Sequence, residues 1–376
     1  MALLPLDRER LQQALALAET VIGLTDPNPR VGCIIGSDDG RVLGRGATQQ
    51  AGGPHAEVMA LREAGPAAAG ATAWVTLEPC AHHGRTPPCC DALVAARIAR
   101  VVVAVGDPFP QVAGAGLARL RAAGIAVEMA DDDLARAARE LNIGFFSRVQ
   151  RGRPWVRLKV AASLDGRTAL PNGASQWITG PEARADGHAW RRRASAVLTG
   201  IGTVLADDPR LDVRLVPTPR QPVRVVLDSR LRTPPAARVL QPPGAALVCG
   251  VEGADGRALA AQGVDVVTLP ADADGRVQPA ALLRLLAARG VNELHVEAGA
   301  TLNGALLKAG LVDELLAYVA PSLMGTGRPF AELGPFTALD QSVSMCFVDA
   351  VFLGSDLRLR ARIPANKGVP GDYSAL

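Results

Sequence analysis

The chain has 376 residues, 48% of them hydrophobic but only 3% aromatic, so Ala, Val and Leu must fill more core than one domain usually holds. Its 40 basic and 37 acidic residues leave a formal charge of +3, which excludes the strongly basic surface of a nucleic-acid-binding protein; the basic run at 190–194 is short. No stretch reaches ~18 uninterrupted apolar residues, so no membrane span is expected. Asp7, Arg8, Glu9 and Arg10 interrupt the N-terminus too early for a signal peptide, which makes the cytoplasm the expected location.

Leu11, Leu15, Ala18, Val21 and Ile22 have helical spacing, ended by Gly23. VGCIIG reads as a buried strand and RVLGRGATQ as its hairpin partner. HAEVMALREAG then reads as a helix, ATAWVTLE as a strand, CCDALVAARI as a helix and RVVVAVGDP as a strand. AGLARLRAAG and IAVEMA follow as helix and strand, and DLARAARELNIGFFSRVQRG reads as one helix running to a Gly. Strands alternating with helices predict an α/β sheet covered on both faces.

The pattern restarts near RVQRGRPWV, which predicts domains at 1–150 and 151–365, with the aperiodic 366–376 as a loose tail. In the second domain WVRLKVAASLDG reads as a strand, GPEARADGHAWRRRASAVL as a helix with Pro181 near its start, and AVLTGIGTVLADDP as strand, turn and short helix. PVRVVLDS, AALVCG, VDVVTLP and ELHVEAG are further short strands; ALLRLLAARG and ALLKAGLVDEL read as helices. No internal repeat links the halves, so two different α/β folds are expected.

Three of the five His and three of the six Cys fall between residues 55 and 90. Without a secretion signal this clustering points to a metal or catalytic site rather than disulfides. A zinc ion that activates water keeps three protein ligands and an open position. His55 sits two residues before Glu57, Cys80 follows Pro79, and Cys89 opens a predicted helix whose positive end favours a thiolate. This is the zinc deaminase pattern H-x-E followed by P-C-x-x-C, with Glu57 as the proton carrier. The sequence departs from it at 83, where His83 stands in place of the second Cys, so His83 and Cys89 are both candidates for the third ligand. Cys33 and Cys249 read as small core residues and Cys90 as structural, while Glu78 reads as an acceptor for backbone donors near the site.

TLEPCAHHGRTPPCCDAL and DPNPRVGCII resemble the signature of the bifunctional riboflavin biosynthesis deaminase–reductase family, and the resemblance covers nearly the whole chain. It implies zinc on His55, Cys80 and Cys89, Glu57 as the catalytic proton carrier, and Asn28 at the pyrimidine. His82 and His83 then read as substrate-loop residues. The implied fold is a cytidine-deaminase-like three-layer α/β/α domain followed by a dihydrofolate-reductase-like α/β domain. The implied activity is hydrolytic deamination of a phosphorylated diaminopyrimidinone ribosylamine, then NADPH-dependent reduction of its ribosyl group.

The second half has no G-x-G-x-x-G after a strand, so a Rossmann site is not supported. EAGATLNGALL instead runs a Gly turn into a helix start, where free backbone N–H groups suit a cofactor phosphate. Arg191 and Arg214 suit a substrate phosphate, because a guanidinium grips phosphate through paired hydrogen bonds. By position in the matching motifs, the resemblance implies Ser175, Arg191, Leu211, Arg214 and Glu297 at the substrate. It implies Ala161, Trp177, Thr203, Asp207, Ser229, Gly299, Ala300, Thr301, Leu302, Asn303 and Gly304 at NADPH, and Lys159 as a helper in proton transfer. A small-molecule substrate, no nucleic acid, no membrane and a homo-oligomer are expected. Two other readings stay open here: a nucleic-acid or nucleoside deaminase with an accessory binding half, and a non-catalytic protein whose structural zinc takes His83 as a fourth ligand.

Overall fold

A computed structural model describes residues 3–82, 87–109 and 113–364, and the chain divides after Arg151 into two compact units. His83 and the segment 366–376 lie outside the described residues.

The first unit runs α1 (Pro5–Thr20), β1 (Gly32–Gly36), β2 (Val42–Ala47), α2 (Ala56–Ala64), β3 (Thr72–Val75), α3 (Cys89–Ala95), β4 (Arg100–Val103), α4 (Ala115–Ala122), β5 (Ala126–Met129), α5 (Asp132–Leu141) and α6 (Ile143–Arg151). Its five-stranded sheet has the order β2-β1-β3-β4-β5. β1 pairs antiparallel with β2 and β3, while β3, β4 and β5 are parallel. Gly32 of β1 opposes Ala47, and its neighbour Cys33 opposes Gly46, so Gly32 and Gly46 face opposite sides of the sheet. A Cβ on Gly32 would stand 1.9 Å from the carbonyl oxygen of Ala14 in α1; one on Gly46 would stand 2.0 Å from that of Ala56 in α2. The two helices therefore cover opposite faces at backbone contact. Buried Asp7 anchors α1, accepting from Trp74 Nε1 at 2.7 Å and from both Nη atoms of Arg100 at 2.7 Å.

Gly44 adds to the close approach of α2, since a Cβ there would be 2.2 Å from the carbonyl oxygen of Ala60. These neighbours are backbone atoms and cannot rotate away. Gly46→Val is therefore expected to destabilise the first unit by about 3 kcal/mol or more. Thermal unfolding of the full chain measures this, and an unchanged transition would show that strand and helix can separate without cost.

The second unit runs β6 (Trp155–Ser163), β7 (Arg167–Ala169), α7 (Pro181–Arg193), β8 (Ala196–Gly200), α8 (Ile201–Asp207), β9 (Val223–Leu227), β10 (Ala246–Val251), α9 (Arg257–Ala260), β11 (Asp265–Leu269), α10 (Pro279–Ala288), β12 (Glu293–Val296), α11 (Ala300–Lys308), β13 (Glu314–Ala320), β14 (Arg328–Pro329), β15 (Cys346–Leu353) and β16 (Asp356–Arg362). Nine strands form one sheet in the order β11-β10-β9-β8-β12-β6-β13-β16-β15. It is parallel from β11 to β13 and antiparallel through β16 and β15. Buried Arg157 ties β6 to both neighbours, at 2.9 Å from Glu293 and 2.6 Å from Glu314. Short β7 and β14 form a separate antiparallel pair.

Several elements differ from the sequence expectation, which also left β7, α9 and β14 unassigned. The helix expected over DLARAARELNIGFFSRVQRG is two helices, parted at Asn142. The Asn142 side chain brackets Arg30, accepting from its N–H at 2.7 Å and donating to its carbonyl at 2.9 Å, while Nδ2 also reaches the Ala138 carbonyl at 3.3 Å. ALLKAGLVDEL is helical only to Lys308, because Gly310 takes a left-handed φ of 63° and Glu314 already begins β13. The hairpin of β15 and β16 was not anticipated at all.

Candidate metal centre and cofactor cavity

The loop after α1 carries Asn28, whose N–H donates to the carbonyl of Thr25 at 2.9 Å, and the Asn142 bracket holds the loop's far end. His55 is the residue before α2, Glu57 lies in the first turn of that helix, and Cys89 is the first residue of α3. The loop after β3 brings Cys80 beside them. His55 Nδ1 stands 3.2 Å from Cys89 Sγ and 3.7 Å from Cys80 Sγ, and the three ligating atoms lie within 4.8 Å of one another. With Zn–N near ~2.1 Å and Zn–S near ~2.3 Å, tetrahedral ligands sit about 3.5–3.8 Å apart. The set therefore fits one zinc ion. His82 is exposed, stacks on Phe109 and is not in this cluster.

The protonation pattern agrees. The Cys80 thiol is pulled down to about 4, first by the hydrogen bond from the Cys89 thiol and also by His55. Cys89 is pushed up, first by that neighbouring thiolate and then by burial. The second thiolate forms readily only when a cation offsets the first. Glu57, only 4% exposed, is outside the three-ligand cluster, and burial pushes its carboxyl up to about 7, in the range of a working acid–base group. Glu78 does accept backbone donors, from the N–H groups of Asp107, Gly114, Gly116 and Leu117 at 3.0–3.3 Å, tying the loop after β4 to the metal-site loop.

In the second unit the C-terminal ends of β6, β8, β9 and β12 border a cavity of about 1670 Å³. That exceeds the ~300–1,000 Å³ of an ordinary ligand pocket and leaves room for a dinucleotide beside a substrate. Every second-half residue that the resemblance implies at the substrate, the cofactor or in proton transfer lines it except Gly304. Gly304 is buried in α11, where a Cβ would lie 2.3 Å from the carbonyl oxygen of Glu332, so its smallness serves packing. α8 and α11 begin side by side: a Cβ on Gly299 would sit 3.8 Å from Thr203 Oγ1, and neither helix start has a side-chain cap. Their first-turn N–H groups suit a pyrophosphate, so these residues fit a dinucleotide. Asn303 itself braces the turn, donating to the carbonyls of Ala298 at 3.1 Å and Phe330 at 2.7 Å.

Glu297 is the centre of a buried charge cluster on the cavity wall. It accepts from Nε and Nη2 of Arg191, the latter at 2.9 Å, and lies 3.8 Å from Lys159 Nζ and 3.4 Å from His295 Nε2. Burial opposes its ionisation, but Arg191 and Lys159 outweigh this and hold the carboxyl well below its ordinary range. Burial also lowers Lys159, against the pull of Glu297. A lysine with a lowered pKa gives up its proton more readily.

Residues 5–105 match the cytidine and deoxycytidylate deaminase zinc-binding region, and residues 154–358 match the RibD C-terminal domain. The riboflavin biosynthesis protein RibD of Escherichia coli K12 is 46% identical over 366 residues, covering 94% of this chain and 98% of that protein. The chain belongs to the RibD family. The RibD of Aquifex aeolicus is 41% identical over 354 residues, covering 94% of this chain and 97% of its own. The solved RibD structure from Acinetobacter baumannii superimposes with a TM-score of 0.86 at 44% identity, covering 95% of this chain and 98% of that one. A Thermotoga maritima structure, described as a diaminohydroxyphosphoribosylaminopyrimidine deaminase/5-amino-6-(5-phosphoribosylamino)uracil reductase, gives 0.85 at 32% identity, covering 95% and 99%.

This RibD-family chain thus pairs a cytidine-deaminase-like α/β unit with a RibD reductase unit. Three residues that touch the charged cavity wall, His295, Arg210 and Asp212, did not stand out in the sequence. Buried His295 alternates with Glu293 and Glu297 along and just past β12, opposite Leu294 and Val296, and burial of the whole strand hides this polar side. Arg210, Asp212 and Arg214 alternate in RLDVR, a spacing that puts charged residues on one side of an extended segment.

Proposed function

We propose that the first unit replaces an amino group of a phosphorylated diaminopyrimidinone ribosylamine with oxygen, and that the second reduces its ribosyl group to ribityl. The observation that carries this reading is the joint presence of the His55–Cys80–Cys89 cluster with buried Glu57 and a dinucleotide-sized cavity around Lys159 and Glu297. His55, Cys80 and Cys89 hold the zinc, which when bound lowers the pKa of the hydrolytic water towards ~7. Glu57 takes one proton from the attacking water and delivers it to the ring nitrogen, then carries a second from the new hydroxyl to the amino group, which departs as ammonia. Asn28 positions the pyrimidine.

NADPH, when bound, supplies the hydride. The N–H groups at Gly299 to Asn303 hold its phosphates, with Ala161, Trp177, Thr203, Asp207 and Ser229 along its length. Ser175, Leu211, Arg191 and Arg214 hold the substrate, and Glu297 positions Lys159 to deliver a proton to the ribosyl group. Incubation with the diaminopyrimidine substrate, followed by mass analysis, tests the whole reading. The deaminated product is expected without a reductant, and the reduced product with NADPH far more than with NADH. Equal kcat/KM for NADPH and NADH, or no deaminated product, contradicts it.

Balanced charge supports a small-molecule substrate over nucleic acid, and no helix among the described residues is long and apolar enough to cross a membrane. All six cysteines are free, and the site needs two of them as thiols, which suits the reducing cytoplasm; cell fractionation checks this. Self-association is part of the proposal. β15 is a sheet edge that exposes Phe347 (76%) and Phe352 (79%), surface that a second copy would cover. Sedimentation showing only monomer would remove that part.

A further inference from the structure

Behind the cavity wall lies Asp212, with only 2% of its side chain exposed, between two arginines that line the cavity. Its Oδ2 accepts from Arg210, Nε at 2.9 Å and Nη2 at 2.8 Å; its Oδ1 accepts from Arg214 Nη1 at 2.7 Å. Burial works against its charge, but Arg214 and Arg210 outweigh this and keep it ionised. The backbone around it is fixed. Its carbonyl accepts from Arg191 Nη1 at 2.9 Å, Gln221 bonds both the N–H and the carbonyl of Val213, and His188 Nδ1 accepts from the Arg214 N–H at 3.2 Å. Between the arginines Leu211 holds a left-handed φ of 55°, a conformation costly for a side chain of its kind and common where geometry is preset for a ligand.

Arg191 is not the freest cation here, because Glu297 and the Asp212 carbonyl occupy three of its nitrogens. Arg210 and Arg214 differ. Asp212 grips Arg210 by Nε and Nη2 and Arg214 by Nη1 alone, which leaves Nη1 of Arg210 and Nε and Nη2 of Arg214 without described partners. Both side chains remain about two-fifths exposed, at 41% and 43%. One buried carboxylate thus fixes two guanidinium groups and cancels only one of their charges.

We infer that Arg210 joins Arg214 as a two-arginine clamp on the phosphate of the reductase substrate, with Asp212 as the positioning residue that fixes both. This inference rests on the reading of the second unit as a reductase of a phosphorylated substrate. Two charges held in place recognise a dianion at little entropic cost, whereas free arginine side chains would have to be ordered on binding.

The test uses the full-length zinc enzyme, NADPH, the deaminated phosphorylated substrate and its dephosphorylated counterpart. The readout is the ratio of kcat/KM for the two substrates. Arg210→Gln is expected to lower that ratio about tenfold or more, mainly through KM, without changing KM for NADPH. Arg210→Lys is expected to recover part of it. Asp212→Asn removes a negative charge but frees the arginines, so positioning predicts a fall in the ratio and bare charge a rise. A ratio unchanged in Arg210→Gln, or raised in Asp212→Asn, overturns the clamp. Should Asp212→Asn not fold, the two Arg210 variants still decide. If the wild-type chain does not reduce the phosphorylated substrate, the parent reading fails instead, and with it the inference.

Discussion

Glu57→Gln is expected to slow deamination by about 10²–10⁴-fold while zinc stays bound. Glutamine preserves the size of a side chain that is 4% exposed, so packing changes little. It cannot accept a proton from water or deliver one to the ring. Zinc should remain stoichiometric, because the cluster of His55, Cys80 and Cys89 does not include this carboxyl. The second unit has its own sheet and its own cavity, so reduction of the already deaminated substrate should persist. Metal analysis, ammonia release and NADPH oxidation measure the three quantities separately. Wild-type deamination by this variant would remove Glu57 from the chemistry. Loss of reduction alongside deamination would show that the units do not work independently.

Cys89→Ser should produce the other large effect, loss of most zinc and with it deamination. A hydroxyl at the first residue of α3 does not ionise near neutral pH and is a far poorer partner for zinc than a thiolate. His55 and Cys80 would remain as two donors, too few for a catalytic site. His83→Ala should keep stoichiometric zinc, which separates the three-ligand site from one completed by His83. Full zinc in Cys89→Ser, by metal analysis or by X-ray absorption, would sink the assignment.

The cluster of His55, Cys80 and Cys89 was legible because zinc chemistry admits few residue types, and H-x-E with P-C stands out against any periodic pattern. The alternating strands and helices of the first unit were legible for a similar reason: each element carries its own apolar period. What escaped depends on partners distant in sequence. The break at Asn142 exists because Arg30 lies beside it, 112 residues away. The end of α11 looked like more helix, since Leu311, Val312 and Leu315 continue a helical spacing, and only Gly310 signalled the stop. The hairpin of β15 and β16 lacks a buried face on its outer strand, so hydrophobic alternation was weak there. Gly354-Ser355 between two extended runs was the available cue. Asp212 went unread because a carboxylate between two arginines looks like ordinary surface charge until burial distinguishes it.

Gly44 and Gly46 bring the backbone of α2 against β2 with no side chain between them. A helix seated on side chains can rock as rotamers exchange, but one seated on a strand's main chain moves only with that strand. The helix that carries Glu57, and before whose first turn His55 stands, therefore takes its position from the sheet. The main-chain contact thus sets where His55 and Glu57 stand relative to the sheet. Metal uptake should then require no rearrangement of this helix, and removal of the ion should leave the backbone at Glu57 where it stands.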